Sequence, residues 1–100
     1  MEYHKLVRDR IPEIIKDAGK ECVYRIADKE EFYIRLREKL REEVEEFLEN
    51  PCVEEAADIL EVLDAILKQK KYRGARAEQV SKRITRGGFE KRIVLESVKS

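Results

Sequence analysis

The dipeptide Asn50-Pro51 constrains this chain more than any other feature, because it separates two long stretches of helical periodicity. Proline fixes its own φ and has no amide hydrogen, so it is excluded from a helix interior but suits a first helical position behind an Asn N-cap. Upstream, Asp28-Lys29-Glu30-Glu31 has the form of a capping box. It opens a helix running to about Glu49, with Phe32, Leu36, Leu40, Val44 and Phe47 as its apolar seam. Downstream, Ala56, Ile59, Leu60, Val62, Leu63, Ile66 and Leu67 carry a second helix from Pro51 to about Lys71. Two such helices joined by so short a break are expected to fold back as an antiparallel hairpin.

In such a hairpin, positions whose numbers sum to 101 lie at the same height, so Glu46 faces Glu55 and Glu43 faces Asp58. Within each helix the two acids are three positions apart and share a face, about 4.5 Å from one another along the axis. Four carboxylates converging on one point would suit a hard, oxygen-seeking cation such as Mg²⁺.

Each half of this pattern has a plainer explanation. Glutamate is a good helix former, so the run 42–46 signifies little by itself. Acids in a helix's first turns meet its positive end, which accounts for Glu55 and Asp58 taken singly. Two conflicts point beyond solvation. Glu42 with Glu46 and Glu45 with Glu49 are like-charge pairs four apart, each costing roughly 0.2–0.5 kcal/mol, near the negative end of their helix. Glu43, moreover, falls in the apolar seam, where an unpaired charge is costly. A bound cation resolves both.

Outside the hairpin, Asp9, Pro12 and Gly19 bracket a first helix striped by Ile11, Ile14 and Ile15, and a fourth helix near 75–86 stops at Gly87-Gly88. Residues 22–26 and 89–98 read as short extended segments that would pair with each other. The expected fold is all-α: a helical hairpin core, completed as a four-helix bundle by dimerisation, with a short β-strand pair from the two ends. Dimerisation follows from the second helix, whose apolar positions wrap more than one face. A homodimer or homotetramer is expected.

Charged residues are 44% of the chain yet cancel to zero formal charge, so composition shows no general pull toward nucleic acid or an acidic membrane. The polar start, Met1-Glu2-Tyr3-His4-Lys5, does not have a signal-peptide pattern, and no apolar run approaches the ~20 residues of a membrane span. A cytoplasmic location is expected. Cys22 and Cys52 lack metal or redox spacing and are expected to be buried thiols. His4 is the sole histidine and builds no histidine-based site; Tyr24, Tyr33 and Phe89 suit core packing or stacking on a base.

The motif Glu42-Glu43-x-x-Glu46 followed by Glu55-x-x-Asp58 resembles the EExxE…ExxD signature of the all-α nucleoside-triphosphate pyrophosphatases, the MazG-like superfamily. The segments 5–12 and 86–91 resemble the ends of a small house-cleaning branch of that superfamily, so the likeness spans residues 1–100 as a single domain. The resemblance implies Mg²⁺-dependent cleavage of a nucleoside triphosphate, standard or modified, between its α and β phosphates, giving a monophosphate and pyrophosphate. It implies Glu43, Glu46, Glu55 and Asp58 as metal ligands. Glu42, the first acid of the motif, is assigned to orienting or deprotonating the attacking water. The interval between Glu46 and Glu55 is shorter than the family's usual pattern, a departure that a tight hairpin accommodates.

Hydrolysis of a polyanion rests on positioning and charge stabilisation, so positive side chains are needed beside the acidic hairpin. Candidates are Lys5, Arg8 and Arg10 at one end and Lys82, Arg83 and Arg86 at the other. Lys5, Arg8, Lys82 and Arg86 are the expected phosphate contacts. Lys82 and Arg86 are four apart on one helical face, and Gly87-Gly88 would let backbone approach a ligand. The plain alternative is a solvated basic face with a glycine stop, and for Arg8-Asp9 a helix cap with a surface ion pair. Two other functional classes fit the same residues: a non-catalytic nucleotide- or metal-binding regulatory module, and a charged helical interaction protein.

Overall fold

The structure, a computed structural model, describes residues 4–100. Four α-helices run in order: α1 (Ile11–Asp17), α2 (Lys29–Glu49), α3 (Val53–Leu67) and α4 (Ala75–Arg86), with a 3-10 turn over Lys70–Tyr72 between the last two. The fold is all-α.

Helix α2 starts where its capping residues dictate. Asp28 has extended backbone, and its side chain accepts a hydrogen bond from the Glu31 amide at 2.8 Å, a contact that contributes about 1 kcal/mol to a helix. The seam then turns toward α3. Leu36 is 2% exposed and Val62 of α3 is 7% exposed, while Phe32, Leu40, Val44, Phe47, Ile59 and Leu63 are half-buried around them. Burying one leucine as fully as Leu36 contributes roughly 2 kcal/mol. The α2–α3 hairpin is the principal packed unit of the chain.

The break at Asn50-Pro51 is placed one step differently from the expectation. Asn50 caps the C-terminus of α2 through its amide to Glu46 O, and α3 begins at Val53 behind Cys52 rather than at Pro51 behind Asn50. Pro51 stands between the helices, where its missing amide hydrogen leaves no ladder bond unmade. Helix α3 ends at Leu67 rather than continuing to Lys71. Helix α1 keeps Pro12 in its first turn but is preceded by Arg10, with no side-chain cap, instead of Asp9. Gly19 follows it at φ 79°, where a side chain would be strained. Helix α4 closes at Gly87, φ 85°, as expected.

Two further expectations are corrected. No strand forms among the described residues, so the β pair between 22–26 and 89–98 is absent. The first segment mixes β-branched and aromatic residues with polar ones and the second centres on Ile93-Val94-Leu95, yet Val23, Ile26, Ile93, Val94 and Leu95 are all exposed. A ribbon this short needs a face to pack against, and neither segment has one among the described residues. Instead, both guanidinium nitrogens of Arg25 bond the two oxygens of Glu31 at 2.7 Å, tying the first segment to α2. Cys22, in the same segment, is consequently exposed rather than buried; Cys52 is half-buried, and both are free thiols.

The chain is long for its size. Its radius of gyration is 18.5 Å and its extents are 63 × 32 × 22 Å, whereas a compact domain of this length has a radius of about 13 Å. No residue of α4 is buried, and Val80 and Ile84 on that helix are exposed. No helix among the described residues is long and apolar enough to cross a membrane.

Candidate metal centre

The acids of the hairpin meet because the apolar seam of α2 carries one of them inward. Glu43 sits in the row formed by Leu36, Leu40 and Phe47, and as that row turns onto α3 the carboxylate follows it to 6% exposure. From α3, Glu55 and Asp58 reach the same place. One carboxylate oxygen from each of Glu43, Glu55 and Asp58 lies within 4.8 Å of the other two. Glu43 Oε2 and Glu55 Oε2 are both shielded from solvent and neither has a hydrogen-bond partner among the described residues. Buried carboxylate oxygens without partners are rare, since each loses its hydration with nothing in return.

Burial pushes the Glu43 carboxyl above the ordinary range, and the charges of Glu46 and Asp58 add to that push, while Lys39 opposes it. The Lys39 ammonium lies 3.2 Å from Glu43 Oε1 and 3.6 Å from Glu42 Oε1. One monovalent charge is thus shared between two carboxylates, and a third and fourth stand nearby.

The sequence-derived site residues divide three ways. Glu43, Glu55 and Asp58 are brought together. Glu46 is exposed and outside that trio, although its charge reaches Glu43. It lies three positions beyond Glu43, which rotates it roughly 60° toward the rim of the seam. Glu42 is half-buried beside the trio, with Lys5 donating to its Oε1 at 3.1 Å. Arg8 donates to Asp58 Oδ1 at 2.7 Å, so the two N-terminal phosphate candidates both lie against the acids. Acid pairing raises the Lys5 ammonium above its usual range, chiefly through Glu42.

Lys82, Arg83 and Arg86 behave otherwise: all three are exposed, and none forms a side-chain ion pair or hydrogen bond among the described residues. Arg10 pairs with Glu13 of its own helix and takes no part in the cluster. Lys39 was not singled out from the sequence as a site residue. Its signal was available, because three and four positions separate it from Glu42 and Glu43 on the same helix.

No family model matches the chain, and neither a curated protein nor a solved structure does. The class of site is therefore defined by its geometry: a partly buried, oxygen-only cluster toward the turn of a helical hairpin, bordered by three cationic side chains. Donors of this kind select hard cations such as Mg²⁺, Mn²⁺ or Ca²⁺ over softer metals.

Proposed function

We propose that this protein is a Mg²⁺-dependent nucleotide pyrophosphohydrolase of the MazG-like kind, adding water across the α–β phosphoanhydride of a nucleoside triphosphate to give the monophosphate and pyrophosphate. The observation carrying this reading is the pair of solvent-shielded, unpartnered oxygens on Glu43 and Glu55 beside Asp58. A hard cation offers those oxygens the partner that the chain does not. Glu43, Glu55 and Asp58 would hold it, with Glu46 joining from the rim through a change of rotamer. Bound there, Mg²⁺ would neutralise phosphate charge and lower the pKa of a coordinated water.

The chain's own residues have the remaining tasks. Glu42, aligned by Lys39 and Lys5, would orient the attacking water and accept its proton. Lys5 and Arg8 would meet phosphate oxygens from the N-terminal side, and Lys82 and Arg86 from α4. Half-burial of the hairpin would keep bulk water from competing for the reacting centre.

Assembly belongs to the same proposal. Leu60 on α3 is 59% exposed, and Val53 lies seven positions away on the same face. With the extended shape and the unpacked α4, this face supports association into a homodimer or homotetramer whose facing hairpins make a four-helix core.

A non-catalytic nucleotide- or metal-binding module is the second reading. It is favoured by one observation: Lys82 and Arg86 are exposed and, among the described residues, pair with none of the acids, unlike Lys5 and Arg8. Pyrophosphate release from a panel of ribo-, deoxy- and modified triphosphates, with Mg²⁺ and with EDTA, separates the two. We expect Mg²⁺-dependent release from at least one member. Binding without release from any would establish the module and reject the enzyme.

A further inference from the structure

We infer that residues 4–8 form a cationic strap across the acid cluster, which a divalent cation must displace and which, once displaced, is free to meet an anionic ligand. The inference rests on reading the cluster as a metal site and concerns the order in which that site fills.

The strap is fixed at three points. Arg35 of α2 donates to the His4 carbonyl at 2.8 Å, Lys5 bonds Glu42 at 3.1 Å, and Arg8 bonds Asp58 at 2.7 Å. Between these points residues 4–8 adopt neither helix nor strand, and only Leu6 is partly buried. A cavity of about 240 Å³ remains under the strap, bounded by Lys5, Leu6, Arg35, Glu38, Lys39 and Glu42. Charge contacts rather than packing therefore hold the segment down.

Those contacts place two positive charges where a metal reading requires another two. Arg8 sits on one of the three converging carboxylates, and Lys5 on the acid next to Glu43. A dication held by Glu43, Glu55 and Asp58 would compete with Arg8 for the Asp58 carboxylate and take from the guanidinium the charge that holds it. The Arg8–Asp58 pair is open to water, with side-chain exposures of 55% and 39%, and pairs so placed are weak. Displacement is consequently easy. The released arginine remains tethered within a few residues of the site, with its five donors in the fork that suits phosphate oxygens. Cation first and anion second is the sequence this arrangement enforces, with positive coupling between the two.

The test is calorimetric titration of Mg²⁺ into the full chain, alongside the variants Arg8→Gln, Arg10→Gln and Glu55→Gln. Removing Arg8 should tighten Mg²⁺ binding about two- to fivefold, the range that an exposed ion pair commands. Removing Arg10, which has the same charge two residues away but pairs with Glu13, should leave binding unchanged. Trypsin cleavage after Lys5 and Arg8 should accelerate with Mg²⁺ in the unaltered chain and not in Glu55→Gln. Equal affinities for the unaltered chain and Arg8→Gln, or cleavage indifferent to Mg²⁺, would overturn the strap while leaving the metal site standing. An unaltered chain that takes up no Mg²⁺ fails the metal reading itself, and the strap falls with it.

Discussion

Lys39 Nζ lies 3.2 Å from Glu43 Oε1, one turn along α2, and is the cation paired with the most deeply buried acid among the described residues. The pairing is incomplete, because Lys39 also faces Glu42 and the second oxygen of Glu43 has no partner. Glu43 thus holds a buried carboxylate that the described residues pair only in part.

Neutralising that charge separates stability from metal response. A carboxyl whose folded pKa is raised disfavours the folded state as pH climbs from its unfolded value through the folded one, so the cost is absent in acid and grows toward neutral pH. Glu43→Gln should therefore stabilise the protein in EDTA by about 1 kcal/mol, a rise in Tm of roughly 4–8 °C for a domain of this size. It should also abolish the rise expected of the unaltered chain if Mg²⁺ binds as proposed, about 2.7 kcal/mol at a hundredfold excess over Kd. Thermal melts with Mg²⁺ and with EDTA check both. Glu46→Gln, altering an exposed acid outside the trio, should retain most of the Mg²⁺ response that Glu55→Gln loses.

Two leucines on the hairpin should respond in opposite ways. Leu36 is sealed between α2 and α3, and Leu36→Ala should cost about 2–5 kcal/mol of stability, read by denaturant unfolding. Leu60 is largely exposed in the single chain, so Leu60→Glu should leave the helical content measured by circular dichroism intact. In sedimentation the same variant should shift the protein toward monomer, as expected if that face meets a second copy.

Acid should loosen the α2 N-terminus in a defined window. Hydrogen bonds from Arg25, reinforced by Arg35, hold the Glu31 carboxyl at about 2, against an ordinary 4.5. A depressed carboxyl contributes stability above its unfolded pKa, and the contribution fades as pH falls from near 4.5 through about 2. Protection of the amides at 28–32, corrected for the intrinsic pH dependence of exchange, should fall across that interval in the unaltered chain, and Glu31→Gln should remove the part that depends on this carboxyl.

How much of this was written in the sequence depends on how far each feature reaches along the chain. Caps and periodicity act within a few residues, and they located α4, the Asp28 cap and the α2 seam correctly. Glu43 was legible for the same reason: its place in the 36, 40, 43, 47 row set a charge among apolar side chains whatever the row packed against. The β-forming residues of 22–26 and 89–98 misled, since a strand is defined by a partner, and a local pattern contains none.

The hairpin, its apolar seam and the inward acid follow from the order of residues alone, because helix geometry repeats every 3.6 residues irrespective of tertiary context. Tertiary structure decided which carboxylates converge and what covers them. The rotation of α2 against α3 gathers Glu43, Glu55 and Asp58 and leaves Glu46 at the rim. The meeting of Arg8 with Asp58 spans 50 positions, and no spacing rule encodes a contact between a segment without regular structure and a helix that far along the chain.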